Sequence, residues 1–200
     1  MNPVAKEYLI DFYTRNLKFH GDRPEALRWS PSGQQARYKA ISNLSDSIDG
    51  RRVLDYGCGK GDLYEYWTSR GIRPCYTGLD ITPELIAMAK LKFPECDFSL
   101  IDIEDGPLDR EFELGFICGV FNNRVDGCTE SLKNSMSLLF GHVTEGLAVN
   151  AISSHCRIRD IDINYVDPDE LLKFTKENIT SNAQLRLDLV QGDLFLFLYK

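Results

Sequence analysis

The 200-residue chain carries 30 Asp and Glu against 23 Lys and Arg, a net charge of −7 at neutral pH. That balance argues against a nucleic-acid partner, which would call for a basic stripe; Arg51-Arg52 and Arg157-Ile158-Arg159 are short and far apart. No apolar run approaches the roughly 20 residues of a membrane span, and residues 1–19 carry Lys6, Glu7, Asp11 and Arg15, unlike a targeting peptide, so a cytoplasmic globular domain is expected.

In chain order, residues 3–19 read as a helix, with Tyr8, Leu9, Phe12 and Tyr13 at helical spacing. A loop-like segment follows from Lys18 to Trp29, holding Gly21 and Pro24. Ser30 before Pro31 marks the next helix start, proline being tolerated at the first helical position. Ala36, Tyr38, Ile41 and Leu44 carry that helix to the Asp49-Gly50 break. Strands and helices then alternate. A strand at 52–56 runs into the turn Gly57-Cys58-Gly59-Lys60-Gly61, and the helix behind it places Leu63, Tyr66 and Trp67 on one face before Gly71. A strand at 75–80 is followed by a helix with Thr82 as cap and Pro83 at its first position, ending before Pro94. Strands at 98–101 and 114–118, a helix near 129–139 and a strand at 147–152 come next. Asp167-Pro168-Asp169-Glu170 is a capping box with Leu171, Leu172 and Phe174 behind it. Residues 185–190 and 194–199 flank Gln191-Gly192-Asp193, a hairpin signal. The alternation predicts an α/β fold: a mostly parallel sheet with helices on both faces, ending in an antiparallel pair.

The glycine-rich turn is the most informative stretch. At the end of a parallel strand it lets a ligand lie against the backbone, where open α/β sheets bind nucleotides. A dinucleotide fingerprint needs G-x-G-x-x-G. Here the third glycine comes early, at Gly61, and the fingerprint position holds Asp62. Asp80 closes its strand 21 positions after Gly59, where a carboxylate accepts both ribose hydroxyls of an adenine nucleoside. The six cysteines, Cys58, Cys75, Cys96, Cys118, Cys128 and Cys156, form no C-x-x-C pair, so no metal-ligand set is read from them. His155 follows the strand at 147–152 on the crevice side and is a candidate general base, ahead of His20 and of His142, which sits in a turn away from that side.

Asp55-x-Gly57-x-Gly59-x-Gly61, followed by Asp80, Asp102-Ile103 and Gly119-Val120-Phe121-Asn122, resembles the class I S-adenosylmethionine-dependent methyltransferases over residues 50–200. The resemblance implies a doubly wound, seven-stranded, mostly parallel sheet with an antiparallel C-terminal hairpin and an N-terminal helical cap. It implies S-adenosylmethionine as cofactor, S-adenosylhomocysteine as product, and in-line transfer of the methyl. The chain lacks the Asn-Pro-Pro-Tyr-type motif of the branches that modify amino-adenine and glutamine, so the expected acceptor is a small molecule. A cofactor-binding partner protein without transfer activity is the alternative. A nicotinamide-dependent oxidoreductase is a third reading, against which Asp62 and the terminal hairpin argue.

On this resemblance Asp55, Gly57, Cys58 and Gly59 hold the cofactor from the first motif, and Asp80 and Ile81 from the second. Asp102 accepts from the adenine amino group while Ile103 packs on its ring. Gly119 and Val120 meet the methionine ammonium, and Asn122 faces the acceptor. Apart from the resemblance, the planar fork of Arg37 suits the methionine carboxylate, with a plain surface arginine as the equal alternative. Residues 1–48 are expected to form the cap, with Tyr8, Phe12, Tyr13 and Trp29 as lid candidates, and residues 49–200 the binding domain.

Overall fold

The computed structural model describes residues 1–106 and 108–200. Two helices precede the sheet. The side chain of Asn2 caps α1 (Pro3–His20) by accepting from Ala5 N, and the helix ends at Gly21. A 3-10 turn (Pro24–Leu27) leads to α2 (Pro31–Ile41), which Ser30 caps by accepting from Gly33 N. β1 (Arg52–Tyr56), β2 (Cys75–Asp80), β3 (Asp97–Leu100), β4 (Phe112–Cys118) and β5 (Val143–Ile152) follow, with α3 (Asp62–Thr68), α4 (Pro83–Lys92) and α5 (Cys128–Gly141) as connections. Then come α6 (Pro168–Asn178), β6 (Ala183–Arg186) and β7 (Asp193–Tyr199).

The sheet order is β3-β2-β1-β4-β5-β7-β6, parallel from β1 to β5, with β7 antiparallel to both its neighbours. The chain winds outward from β1 to β3 and crosses back to β4. The order therefore reverses between β1 and β4, and a crevice opens at their carboxyl ends.

Helices cover both faces of the sheet, and β7 shows why its sequence suits that burial. Successive strand residues point to opposite faces. Leu194, Leu196 and Leu198 enter the core shared with α5 and α6, while Phe195 and Phe197 enter the core under α2, α3 and α4. Trp67 anchors the second core. It is fully buried, meets Phe116 edge-on at 5.1 Å and donates from Nε1 to Ser42 Oγ at 2.8 Å.

The boundaries of five elements depart most from the sequence expectations. α2 ends at Ile41 and a 3-10 turn, Ser42–Leu44, completes it. β3 starts one residue early, at Asp97, in register with Thr77 of β2. β4 and β5 begin earlier, at Phe112 and Val143, which pair across a register shift. β6 stops at Arg186 rather than running to residue 190, because Arg186 turns its guanidinium onto Asp188 and the chain leaves the ladder.

Candidate functional site

β1 delivers Asp55 and Tyr56 to the crevice, and the turn behind it holds Gly57, Gly59 and Gly61 at φ of 73°, 57° and 82°, where L side chains are strained. Gly57 N and Cys58 N both donate to Leu79 O, at 2.7 and 3.0 Å, which ties the turn to β2. Asp80 completes the tie. Its Oδ2 accepts from Gly59 N and its Oδ1 from Thr82 N, both at 2.8 Å. The sequence assigned the start of α4 to Thr82, leaving Asp80 free. Instead Thr82 makes no side-chain capping bond, and Asp80 fixes both the turn and the entry to α4. Each of its oxygens keeps a lone pair for a further donor.

The crevice holds a pocket lined by nine of the sequence candidates: Asp55, Gly57, Cys58 and Gly59 after β1, Asp80 and Ile81 after β2, Asp102 after β3, and Gly119 and Val120 after β4. Ile103 lies beneath it, buried in the core beside α5. Arg37, Asn122 and His155 are not among the described lining residues. The Arg37 guanidinium does grip a carboxylate, but it is that of Asp193 at the start of β7, at 2.5 and 2.7 Å. Asn150 adds a bond to the same carboxylate at 3.0 Å. Asn122 is half-buried behind Gly119. His155 is exposed on the loop after β5.

Carboxylates dominate the polar lining. Asp55 is buried and accepts from the Tyr76 hydroxyl at 2.5 Å. Burial pushes its carboxyl up to about 7, against that bond and with the Asp80 and Asp62 charges. Burial also acts on Asp102. There the Lys6 ammonium at 2.7 Å, the Glu104 N–H and the Tyr56 hydroxyl outweigh it and hold the carboxyl below its ordinary value. Beside Asp102, Glu104 Oε1 is buried with no partner among the described residues, an acceptor without a donor. At the start of α3, where a helix N-terminus would attract a phosphate, Asp62 is buried and bonded to Lys60 at 2.6 Å.

The roof of the pocket comes from the N-terminal segment. Tyr13 and Leu9 of α1, Leu27, Trp29 and Tyr38 of α2 line it; Tyr8 and Phe12 are not among the described lining residues. Two of these side chains use the glycines directly. A Cβ on Gly59 would lie 3.0 Å from Leu27 Cδ1, and one on Gly119 would lie 2.3 Å from Trp29 Cζ2. The cap thus packs on the Cβ side of two glycines whose backbone lines the pocket. Arg37 lies 4.8 Å over the Trp29 ring, so the ion pair with Asp193 also fixes the roof.

Lys6 and Leu27 are not marked by the sequence, because each acquires its place from a partner distant in the chain, Asp102 for Lys6 and Gly59 for Leu27.

Residues 53–139 match a family model described as a methyltransferase domain. A Mycobacterium tuberculosis protein named as a methyltransferase is 29% identical over 156 residues, 72% of this chain and 90% of that one. The malonyl-[acyl-carrier protein] O-methyltransferase of Acetivibrio thermocellus is 26% identical over 136 residues, 66% of this chain and 46% of its own length, so the chain spans under half of that relative. Among solved structures, magnesium protoporphyrin IX methyltransferase from Synechocystis, with bound S-adenosylmethionine, superposes with a TM-score of 0.68 at 14% identity, covering 98% of this chain and 97% of the other.

Proposed function

We infer that this chain, whose residues 53–139 match a methyltransferase domain, transfers the methyl of S-adenosylmethionine to a small-molecule acceptor bound under its N-terminal cap. The observation that carries the reading is the set of hydrogen-bond acceptors lining the pocket. Asp55, Asp80, Asp102 and Glu104 face it, and Lys6 is already paired with Asp102. Such a lining suits a ligand with an ammonium, a sulfonium, ribose hydroxyls and an adenine amino group. It repels a pyrophosphate, as does Asp62 at the start of α3.

On this reading Asp80 accepts from the ribose hydroxyls, and Asp102 with Glu104 Oε1 accepts from the adenine amino group. Asp55 and the backbone around Gly119 receive the ammonium. S-adenosylmethionine, when bound, supplies a methyl on a good leaving group, taken by a nucleophilic atom of the acceptor. The chain's own contribution is alignment and exclusion of water. Holding two reactants in line is worth about 7–11 kcal/mol, and the roof of Leu27, Trp29 and Tyr13 keeps the crevice dry. The apolar and aromatic roof and the net charge of −7 favour a small acceptor over a nucleic acid. No described helix is long and apolar enough to cross a membrane.

A ligand that binds only the folded state raises its stability by mass action. Saturating S-adenosylhomocysteine is expected to raise the melting temperature while NAD leaves it unchanged. A shift with NAD alone overturns the cofactor assignment.

A further inference from the structure

Arg28 is the one non-glycine residue with positive φ among the described residues, at φ 62° and ψ 27°. It caps the 3-10 turn there: its N–H donates to Glu25 O at 3.0 Å and the Trp29 N–H to Pro24 O at 3.2 Å. Packing then holds the turn on both sides. Leu27 packs on Gly59 and Trp29 on Gly119, so the neighbours of Arg28 dock on two separate walls of the pocket. Moving residue 28 out of the left-handed region redirects the chain around it, and Leu27 and Trp29 cannot both stay on their glycines. The Arg28 side chain supplies the restraint. Its Nη1 donates to Asn123 Oδ1 at 2.9 Å, and the buried Asn123 donates from Nδ2 to the Tyr13 hydroxyl at 2.8 Å. One run of bonds thus joins α1, the turn before α2 and the segment after β4.

We propose that Arg28 is a positioning residue: its bond to Asn123 latches Leu27 and Trp29 over the pocket, and breaking that bond is the step that admits and releases the cofactor. Arg28 acts through Leu27 and Trp29 and does not touch the ligand. The proposal rests on the S-adenosylmethionine reading of the site.

The full chain is loaded with tritiated S-adenosylhomocysteine and chased with unlabelled ligand. A hydrogen bond from a charged donor is of the size that changes a rate about tenfold. Arg28→Ala is expected to release the ligand about tenfold faster than wild type, with a lower ligand-free melting temperature because buried Asn123 Oδ1 loses its donor, and Arg28→Lys closer to wild type in both. Tyr13→Phe, which loses only the far end of the run of bonds, is expected to speed release by a smaller factor and decides the matter if Arg28→Ala does not fold. A spectroscopic signature accompanies the rates. Trp29 and Trp67 are the chain's two tryptophans and only Trp29 is among the residues lining the pocket, so a ligand-induced fluorescence change is assigned to Trp29, and Trp29→Phe should abolish it. Release at the wild-type rate from the folded variants overturns the latch alone. If the wild type does not bind S-adenosylhomocysteine, the cofactor reading falls and the latch falls with it.

Discussion

Burial and the charges of Asp80 and Asp62 act in one direction on Asp55, and the Tyr76 bond does not offset them, so this carboxyl titrates at about 7 in the folded chain. Its ordinary value is 3.8. Between those values the folded state binds more protons than the unfolded one, so stability falls as pH rises through that window and is level above it. Asp55→Asn is expected to remove the slope, matching wild type near the acid end and exceeding it by on the order of a few kcal/mol at about pH 8. Urea unfolding of both proteins at the two pH values checks this; parallel curves would refute it. A cationic group bound at Asp55 draws the same proton off. S-adenosylhomocysteine should therefore bind wild type more tightly at about pH 8 than at about pH 6, and the variant equally at both. Asp55, Asp80 and Asp102 were legible in the sequence because each lies at or near the end of a strand that its own neighbours predict. Lys60 was not. A lysine reads as solvated, yet this one is 2% exposed, held by Asp62 at 2.6 Å and by Asp22 at 3.0 Å, and only the tertiary return of the loop brings Asp22 there. Arg37 was legible as a carboxylate partner but not as the partner of Asp193, 156 residues away.

At the scale of elements, the cap and the glycine turn fit as one joint. Gly59 has φ of 57°, and its bare face receives Leu27. A valine there meets two obstacles, a left-handed backbone that costs about 1–3 kcal/mol and a cap side chain in the place of its Cβ. Gly59→Val is therefore expected to lift the segment around Leu27 as well as to weaken ligand binding. Hydrogen exchange should show protection lost at residues 24–29 while β1 and β2 keep theirs. Unchanged protection at 24–29 would mean that Leu27 yields locally and the joint is looser than its contacts indicate. The sequence marked both halves of this joint, the glycines by their spacing and the cap by its aromatic residues. It could not mark the contact, because Tyr8 and Trp29 look alike in a pattern and only the path of the loop brings Trp29 onto Gly119.

For the whole molecule, the winding of the sheet was legible to within a few residues, since strand and helix periods alternate and Gly, Pro and Asp mark the breaks. The extensions of β4 and β5 to Phe112 and Val143 were not, because a pairing across a register shift depends on the partner strand rather than on local preference. β7 contributes to both cores through its leucines on one face and its phenylalanines on the other. Leu196→Ala is expected to cost about 2–5 kcal/mol, lowering the unfolding midpoint without splitting the transition. Two transitions in calorimetry would show that the cores melt separately.

The position of β7 also sets an order in time. The strand made after all the others lies inside the sheet, between β5 and β6, and β6 pairs with nothing else. As a chain is synthesised from its amino end, β5 waits with an open edge from Gly146 to Ile152, and Arg37 waits without the anion that seats it. A nascent chain that stalls before Asp193 has already made its cap and its glycine turn, but it can neither close the sheet nor fasten the roof. Such a chain is a client for chaperones, and ribosome-bound intermediates of increasing length should gain protease resistance only once β7 has left the exit tunnel.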